Sequence, residues 1–236
     1  MLAELLTEDM EDHLNEAEEH LNQAKDLSSG PADEANIEIH LGKIDTEREQ
    51  DEDALLHFQR ATELEPDFAP AWFNLAEAYS RLENVEDAEK SYQRAIELQP
   101  DDENLYVQLS FLYKSEHQDE MAIEALKEGL SANPNSVELC IALSTFYSTI
   151  DDYEQAEEYL DKAEQIDPDA MMVGMMRPML KSMRSLYTST TSRRTGQNVD
   201  EARPARRVVE SIPADNERTS KPFQPSHPKK KKRKKR

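Results

Sequence analysis

The chain has 236 residues, 28 basic and 50 acidic, a formal net charge of −22 and only five glycines. Collagen-like and Gly-rich low-complexity chains are excluded by that composition, and no Gly-rich phosphate loop of the GxGxxG or GxxxxGK kind occurs. No apolar run approaches the ~18–20 residues that span a bilayer. The N-terminal stretch Met1–Asp9 is acidic and lacks a basic n-region, which argues against a secretory signal. The one cysteine, Cys140, cannot form an internal disulfide, which fits a reducing, cytoplasmic setting.

Residues 1–34 hold Ala17, Leu21 and Ala24 at spacings of four and three, followed by the helix-breaking run Ser28-Ser29-Gly30-Pro31. From residue 35 a period of 34 residues governs the chain. Prolines stand at Pro66, Pro100, Pro134 and Pro168, and small residues at Ala54, Ala88, Ala122 and Ala156 and at Ala61, Ala95, Gly129 and Ala163. Bulky residues between them (Phe58, Tyr92, Leu126, Leu160) and upstream (Leu41, Leu75, Leu109, Leu143) keep the same step, as do Tyr79, Tyr113 and Tyr147. The units are 35–68, 69–102, 103–136 and 137–170. In each, a first helix carries a bulky residue, a leucine, a small residue and a tyrosine on one face, as in Trp72, Leu75, Ala76 and Tyr79. The second helix carries the matching small–bulky–small face and stops at the proline, which cannot continue the hydrogen-bond ladder. A single unit cannot bury both faces, so stability comes from stacking neighbours. Trp72 is expected to be a buried anchor, costing about 3–5 kcal/mol on truncation to alanine.

This pattern resembles the tetratricopeptide repeat family over about residues 35–170, most closely in the second unit, Ala71–Tyr79 with Asp87–Tyr92 and Ala95–Pro100. The resemblance implies an all-α, right-handed helical-repeat superhelix. It also makes residues 1–34 an N-terminal half-repeat that serves as a cap. The first unit departs from the pattern, with Glu38 where Trp72 stands, Gly42 at the small position and Asp45 in place of Tyr, and is expected to be weaker and more solvated.

After Pro168 the pattern fails, with Gly174 at the aromatic position and Pro178 inside the expected helix. Met172, Met176, Met179, Met183 and Leu186 nevertheless form one helical stripe, so residues 171–187 read as a kinked, Met-rich capping helix or an adaptable contact surface for a partner. Residues 188–236 turn to Ser, Thr, Arg and Pro without helical period and are expected to be a disordered basic tail. It ends in eight cations, Lys229, Lys230, Lys231, Lys232, Arg233, Lys234, Lys235 and Arg236. The charge therefore divides: residues 1–170 hold 45 acidic and 10 basic side chains, and residues 171–236 hold 5 and 18. The run reads as a contact for nucleic acid or an anionic surface, as a solubility segment folding back on the acidic body, or as a nuclear import signal in a eukaryotic host. Nucleic-acid binding by it is phosphate-led and salt-sensitive, because no aromatic residues interleave the run.

Catalytic chemistry is not legible. His13, His20, His40, His57, His117 and His227 are scattered, with no HExxH and no cysteine partners, so neither a metal nor a cofactor is expected. Cys140 stands at the bulky position of the fourth repeat, as a small core residue would.

The resemblance implies that first helices line a concave groove. The groove candidates are an apolar row at 34-residue steps, Ile39, Phe73, Val107 and Ile141, with Phe111 and Thr145 beside it. Around the row stand Lys43, Asn74, Glu77, Arg81, Asn104, Gln108 and Lys114, able to satisfy a peptide backbone or polar side chains. The row reads either as packing between neighbouring first helices or as a site for a peptide with apolar anchors. Family members that grip the C-terminal carboxylate of heat-shock chaperones use Lys, Asn, Asn, Lys and Arg. The corresponding residues here are Ile39, Lys43, Asn74, Asn104 and Gln108, and with only Asn74 matching no such clamp is expected. The expected function is a non-catalytic protein–protein interaction scaffold that holds a protein or peptide partner in the groove, with the basic tail as a second contact. The alternative is a nucleic-acid- or ribosome-associated factor in which the tail binds and the acidic body is spacer or autoinhibitor.

Overall fold

A computed structural model describes residues 2–195, with side chains from 11 to 190. All of these lie in one unit of the chain, Met1–Arg203. The polybasic run and the rest of the expected tail beyond 195 lie outside the described residues. The described residues form ten α-helices: α1 (Leu2–Asp26), α2 (Pro31–Glu47), α3 (Asp51–Leu64), α4 (Ala69–Arg81), α5 (Val85–Leu98), α6 (Glu103–Ser115), α7 (Asp119–Ala132), α8 (Val137–Thr149), α9 (Tyr153–Ile166) and α10 (Met171–Thr195). No helix among them is long and apolar enough to cross a membrane.

Helices α2 to α9 are the four first-and-second-helix pairs, α2 packing on α3, α4 on α5, α6 on α7 and α8 on α9. Each second helix then meets the following first helix, which is how every pair buries the face it cannot cover itself. Second helices close at the expected prolines. The N–H groups of Glu65, Gln99, Asn133 and Asp167 still reach the carbonyls of Ala61, Ala95, Gly129 and Ala163, and the proline follows at once.

First helices stop by a device with no signal in residue type. Glu49, Glu83, His117 and Asp151 take positive φ of 59°, 56°, 57° and 62°, again at 34-residue steps. The next N–H (Gln50, Asn84, Gln118, Asp152) reaches back to the carbonyls of Asp45, Tyr79, Tyr113 and Tyr147 at 2.8–3.0 Å. This is the left-handed closure that glycine usually supplies. Non-glycine residues hold it here because packing of the two helices on either side over-determines the turn.

The core follows the repeat faces. Around α2 to α4 it gathers Ala35, Ile39, Ala54, Phe58, Ala61 and Leu75, and from Ala76 onward it runs through Tyr92, Tyr106, Leu126, Leu143 and Leu160 to Val173 and Leu180. Trp72, expected to be a buried anchor, is only half-buried, its indole N–H donating to the Pro66 carbonyl at 2.8 Å. The counterpart Tyr106 is 2% exposed and donates to Pro100 at 3.1 Å. Beneath Tyr106 lies Gly129, where the other second helices have alanine; a Cβ there would stand 2.7 Å from the tyrosine Cγ. The missing methyl is what lets the ring sink.

The first repeat is not the solvated unit that its polar substitutions suggest. Glu38, at the tryptophan position, is 4% exposed. It accepts from Lys25 at 2.7 Å, and His57 Nδ1 stands 2.6 Å from its other oxygen, while His57 Nε2 lies 3.5 Å from Asp45. Burial alone pushes the Glu38 carboxyl up, but the hydrogen bonds from Lys25 and His57 outweigh it and hold it below the usual range. The bulky aromatic of the second and third repeats is replaced by a paired, hydrogen-bonded charge cluster, which is how a carboxylate tolerates burial.

Helix α1 differs from a second helix. Ala17 and Ala24, expected on its packing face, are exposed, and Leu21 is half-buried. Polar groups also tie the helix to the end of α2. Arg48 donates to Glu11 at 3.0 Å, to Glu18 at 2.7 Å and to Asn15 at 2.7 Å. At the other end α10 continues to Thr195, past the expected boundary at 187, and Pro178 sits within it without ending it. The expected stripe is also displaced. Met176 and Met183 pack inward together with Val173, Leu180 and Tyr187, whereas Met172, Met179 and Leu186 face outward. Arg177 and Arg184 set this rotation, pairing with Asp161, Glu164 and Glu157 of α9 at 2.6–2.7 Å.

Candidate protein-binding groove

The candidate groove is built on the first helices α2, α4, α6 and α8, which share one side of the stack because each packs on the second helix before it and the one after it. The apolar row is mostly interior. Ile39 and Val107 are buried, while Phe73 and Ile141 are half-buried. Phe73 meets Tyr92 edge-on with centroids 6.1 Å apart, so it belongs to the α4–α5 contact as much as to any surface. Phe111 is the exception at 54% exposed. It rests against the buried Phe146 ring at 6.0 Å. An aromatic left open on a buried aromatic base is the geometry of an anchor point.

The polar candidates fall into four groups. Asn74 is buried and its amide donates to the Pro70 carbonyl at 2.6 Å, so it serves its own helix. Asn104 accepts from Gln108 at 3.3 Å, and exposed Thr145 donates to Ile141 at 2.9 Å. Lys114 donates to Asp119 at 2.6 Å and Thr149 at 3.0 Å while lying 5.9 Å from the centroid of Phe146, the ring on which Phe111 rests.

At the α2–α4 end stand Lys43, Glu77 and Arg81. Arg81 is held by the Asp51 carboxylate. Burial raises the Glu77 carboxyl above its usual value, with Lys43 and Arg81 pulling the other way. A carboxyl raised on folding favours its neutral form in the native state, so its penalty is absent below about pH 4.5 and grows as pH rises through the folded value. Glu77→Gln is therefore expected to be more stable than wild type at pH 7 and equal to it at pH 4, as read from thermal midpoints at the two pH values.

One part of this side was missed in the sequence. Helix α10 packs on α9 and α8 as α8 packs on α7 and α6, so it takes the place of a fifth first helix. One further 34-residue step from Ile141 and Thr145 reaches Met175 and Met179, 63% and 55% exposed. The signal was present as simple addition of the period; Gly174 and Pro178, at the bulky and small positions, obscured it.

Family models agree with this geometry. Models described as tetratricopeptide repeat match residues 69–102, 103–136 and 120–176, and one described as TPR repeat matches 42–83. The chain belongs to the tetratricopeptide repeat family. Among solved structures, a MamA crystal structure is similar at 20% identity and TM-score 0.55 over 69% of this chain and 93% of that one. The crystal structure of YrrB, described as a tetratricopeptide repeat protein with an unusual peptide-binding site, is similar at 23% identity and TM-score 0.51 over 75% and 88%. At these identities the likeness is one of fold. The comparison with curated proteins gives no match. A tetratricopeptide repeat fold is that of a protein-interaction scaffold.

Proposed function

We propose that the chain is a non-catalytic scaffold that holds a segment of a protein partner along the side formed by its first helices, with Lys229–Arg236 as a second, electrostatic contact. The observation that carries this reading is Phe111, an exposed ring resting on the buried Phe146 ring, over which the Lys114 ammonium also lies. The exposed Met175 and Met179 of α10 add apolar surface two repeat steps on from α6, and methionine adapts to irregular partners. With Ile39 and Val107 buried, the reading rests on Phe111 of α6 and on Met175 and Met179 of α10.

Phe111→Glu tests the site, since the side chain is half open and its replacement leaves the core alone. Affinity capture from the native host with wild type and Phe111→Glu is expected to show one or more partners reduced at least about tenfold, equivalent to ~1.4 kcal/mol or more. Undiminished recovery of every partner overturns the groove. The same capture with residues 229–236 removed is expected to lose partners at 50 mM salt and to matter little at 200 mM, because the screening length falls from about 14 Å to about 7 Å between these ionic strengths.

A further inference from the structure

The opposite side of the stack carries a second candidate, independent of the first-helix groove. Helices α5 and α7 leave between them a groove of about 350 Å³ floored by Leu109 and Tyr113 of α6, with Ala125 and Met121 on its α7 wall and Glu97, Glu124 and Glu128 at its rim. Met121 is 47% exposed, an apolar side chain standing open among carboxylates.

The repeat supplies an internal comparison. Ala125 corresponds at 34-residue steps to Ser91 and Tyr159. Tyr159 stacks on Tyr147 at 5.6 Å and an interplanar angle of 10°, filling the equivalent place in the next seam. Glu128 corresponds to Arg94 and Lys162, and Glu124 to Lys90 and Glu158. The α5–α7 seam therefore combines a small residue over its floor with a carboxylate where both neighbouring repeats place a cation. Nearby cations are directed elsewhere. Lys127 lies 5.8 Å from the Tyr147 ring centroid, and Arg94 pairs with Asp67 at 2.9 Å and Glu97 at 3.0 Å. Among the described residues, Glu124 and Glu128 enter no ion pair.

We propose that this seam docks a cationic segment of a partner protein that carries one bulky apolar side chain. The apolar side chain lies over Tyr113 and Ala125 against Met121, whose thioether adapts to its shape. Flanking lysines or arginines sit by Glu124 and Glu128, where the unneutralised carboxylates attract them and set the register.

The test is fluorescence anisotropy on the full chain with a labelled synthetic peptide that has one Phe among four Lys and Arg residues, and with the same peptide bearing Ser for Phe. Variants are Glu124→Lys, Glu128→Lys and Ala125→Tyr, each taking a residue type that the equivalent position of another repeat already holds. The Phe peptide is expected to bind at least about tenfold more tightly than the Ser peptide. Each charge reversal and the cavity-filling Ala125→Tyr are expected to weaken it, and Phe111→Glu to leave it unchanged. Thermal melts identify any variant that fails to fold, and the comparison of the two peptides on the wild-type chain needs no variant. Equal binding of both peptides overturns the proposal, because it reports only the acidity of the body. Insensitivity to both charge reversals overturns it too, as does absence of binding, the result if residues 229–236 of the chain itself already occupy the seam.

Discussion

Tyr106→Ala is expected to lower the unfolding free energy by about 3–5 kcal/mol, the range for emptying a buried aromatic site. The ring is 2% exposed, and its hydroxyl donates to the Pro100 carbonyl at 3.1 Å, so truncation opens a cavity and strands an acceptor together. Trp72→Ala, at the same repeat position and of larger side chain, is expected to cost less, because Trp72 is half-buried. Urea unfolding of the two variants checks the order. A larger midpoint shift for Trp72→Ala would show that side-chain size outweighs depth at this position.

Gly129→Ala is expected to be destabilising although it improves helix propensity. Propensity favours alanine by about 1 kcal/mol in a helix interior, but overpacking a tight core costs about 1–3 kcal/mol. The new Cβ would meet Cγ and Cβ of Tyr106 at 2.7 and 2.8 Å, the root of that side chain, which cannot swing aside without moving its helix. The expected net effect in the wild-type background is a loss of up to about 2 kcal/mol. In a Tyr106→Ala background the clash is gone and the sign reverses, leaving a gain of about 1 kcal/mol from propensity. Gly42 is the milder case, since its Cβ would meet the far edge of Phe58, at Cε1 and Cζ. A double-mutant cycle by urea unfolding reads the coupling between Tyr106 and Gly129 directly. Additive effects would mean that the helix backbones, and not the ring, absorb the methyl group.

Much of the fold was legible because a 34-residue period leaves the same residue types on the same faces in each copy. The prolines, the alanine pairs and the leucine–tyrosine faces each predicted their place, and the helices stop and pack accordingly. The candidate site was less legible. Position along the repeat marked Ile39, Phe73, Val107 and Ile141 as one row, but position says nothing of how closely adjacent first helices approach, and the approach buries Ile39 and Val107. Asn74 looked like a ligand for a peptide and is held by its own helix. Residues 171–187 read as a cap or a partner contact, and not as a further first helix, because Gly174 and Pro178 interrupt the repeat at the bulky and small positions.

The net charge of −22 divides at residue 170 into an acidic repeat body and a basic extension. The sequence by itself determined the repeat, its period and the helix ends marked by proline, since those depend on local sterics and on which residues recur. Tertiary structure decided the depth of each anchor, the left-handed closures at Glu49, Glu83, His117 and Asp151, and the charge cluster of Glu38, Lys25 and His57. It also decided that the α5–α7 seam stays open where the next is filled by Tyr159. These depend on what faces a residue from a neighbouring helix, and a residue's neighbours across a helix pair are set by packing rather than by its place in the chain.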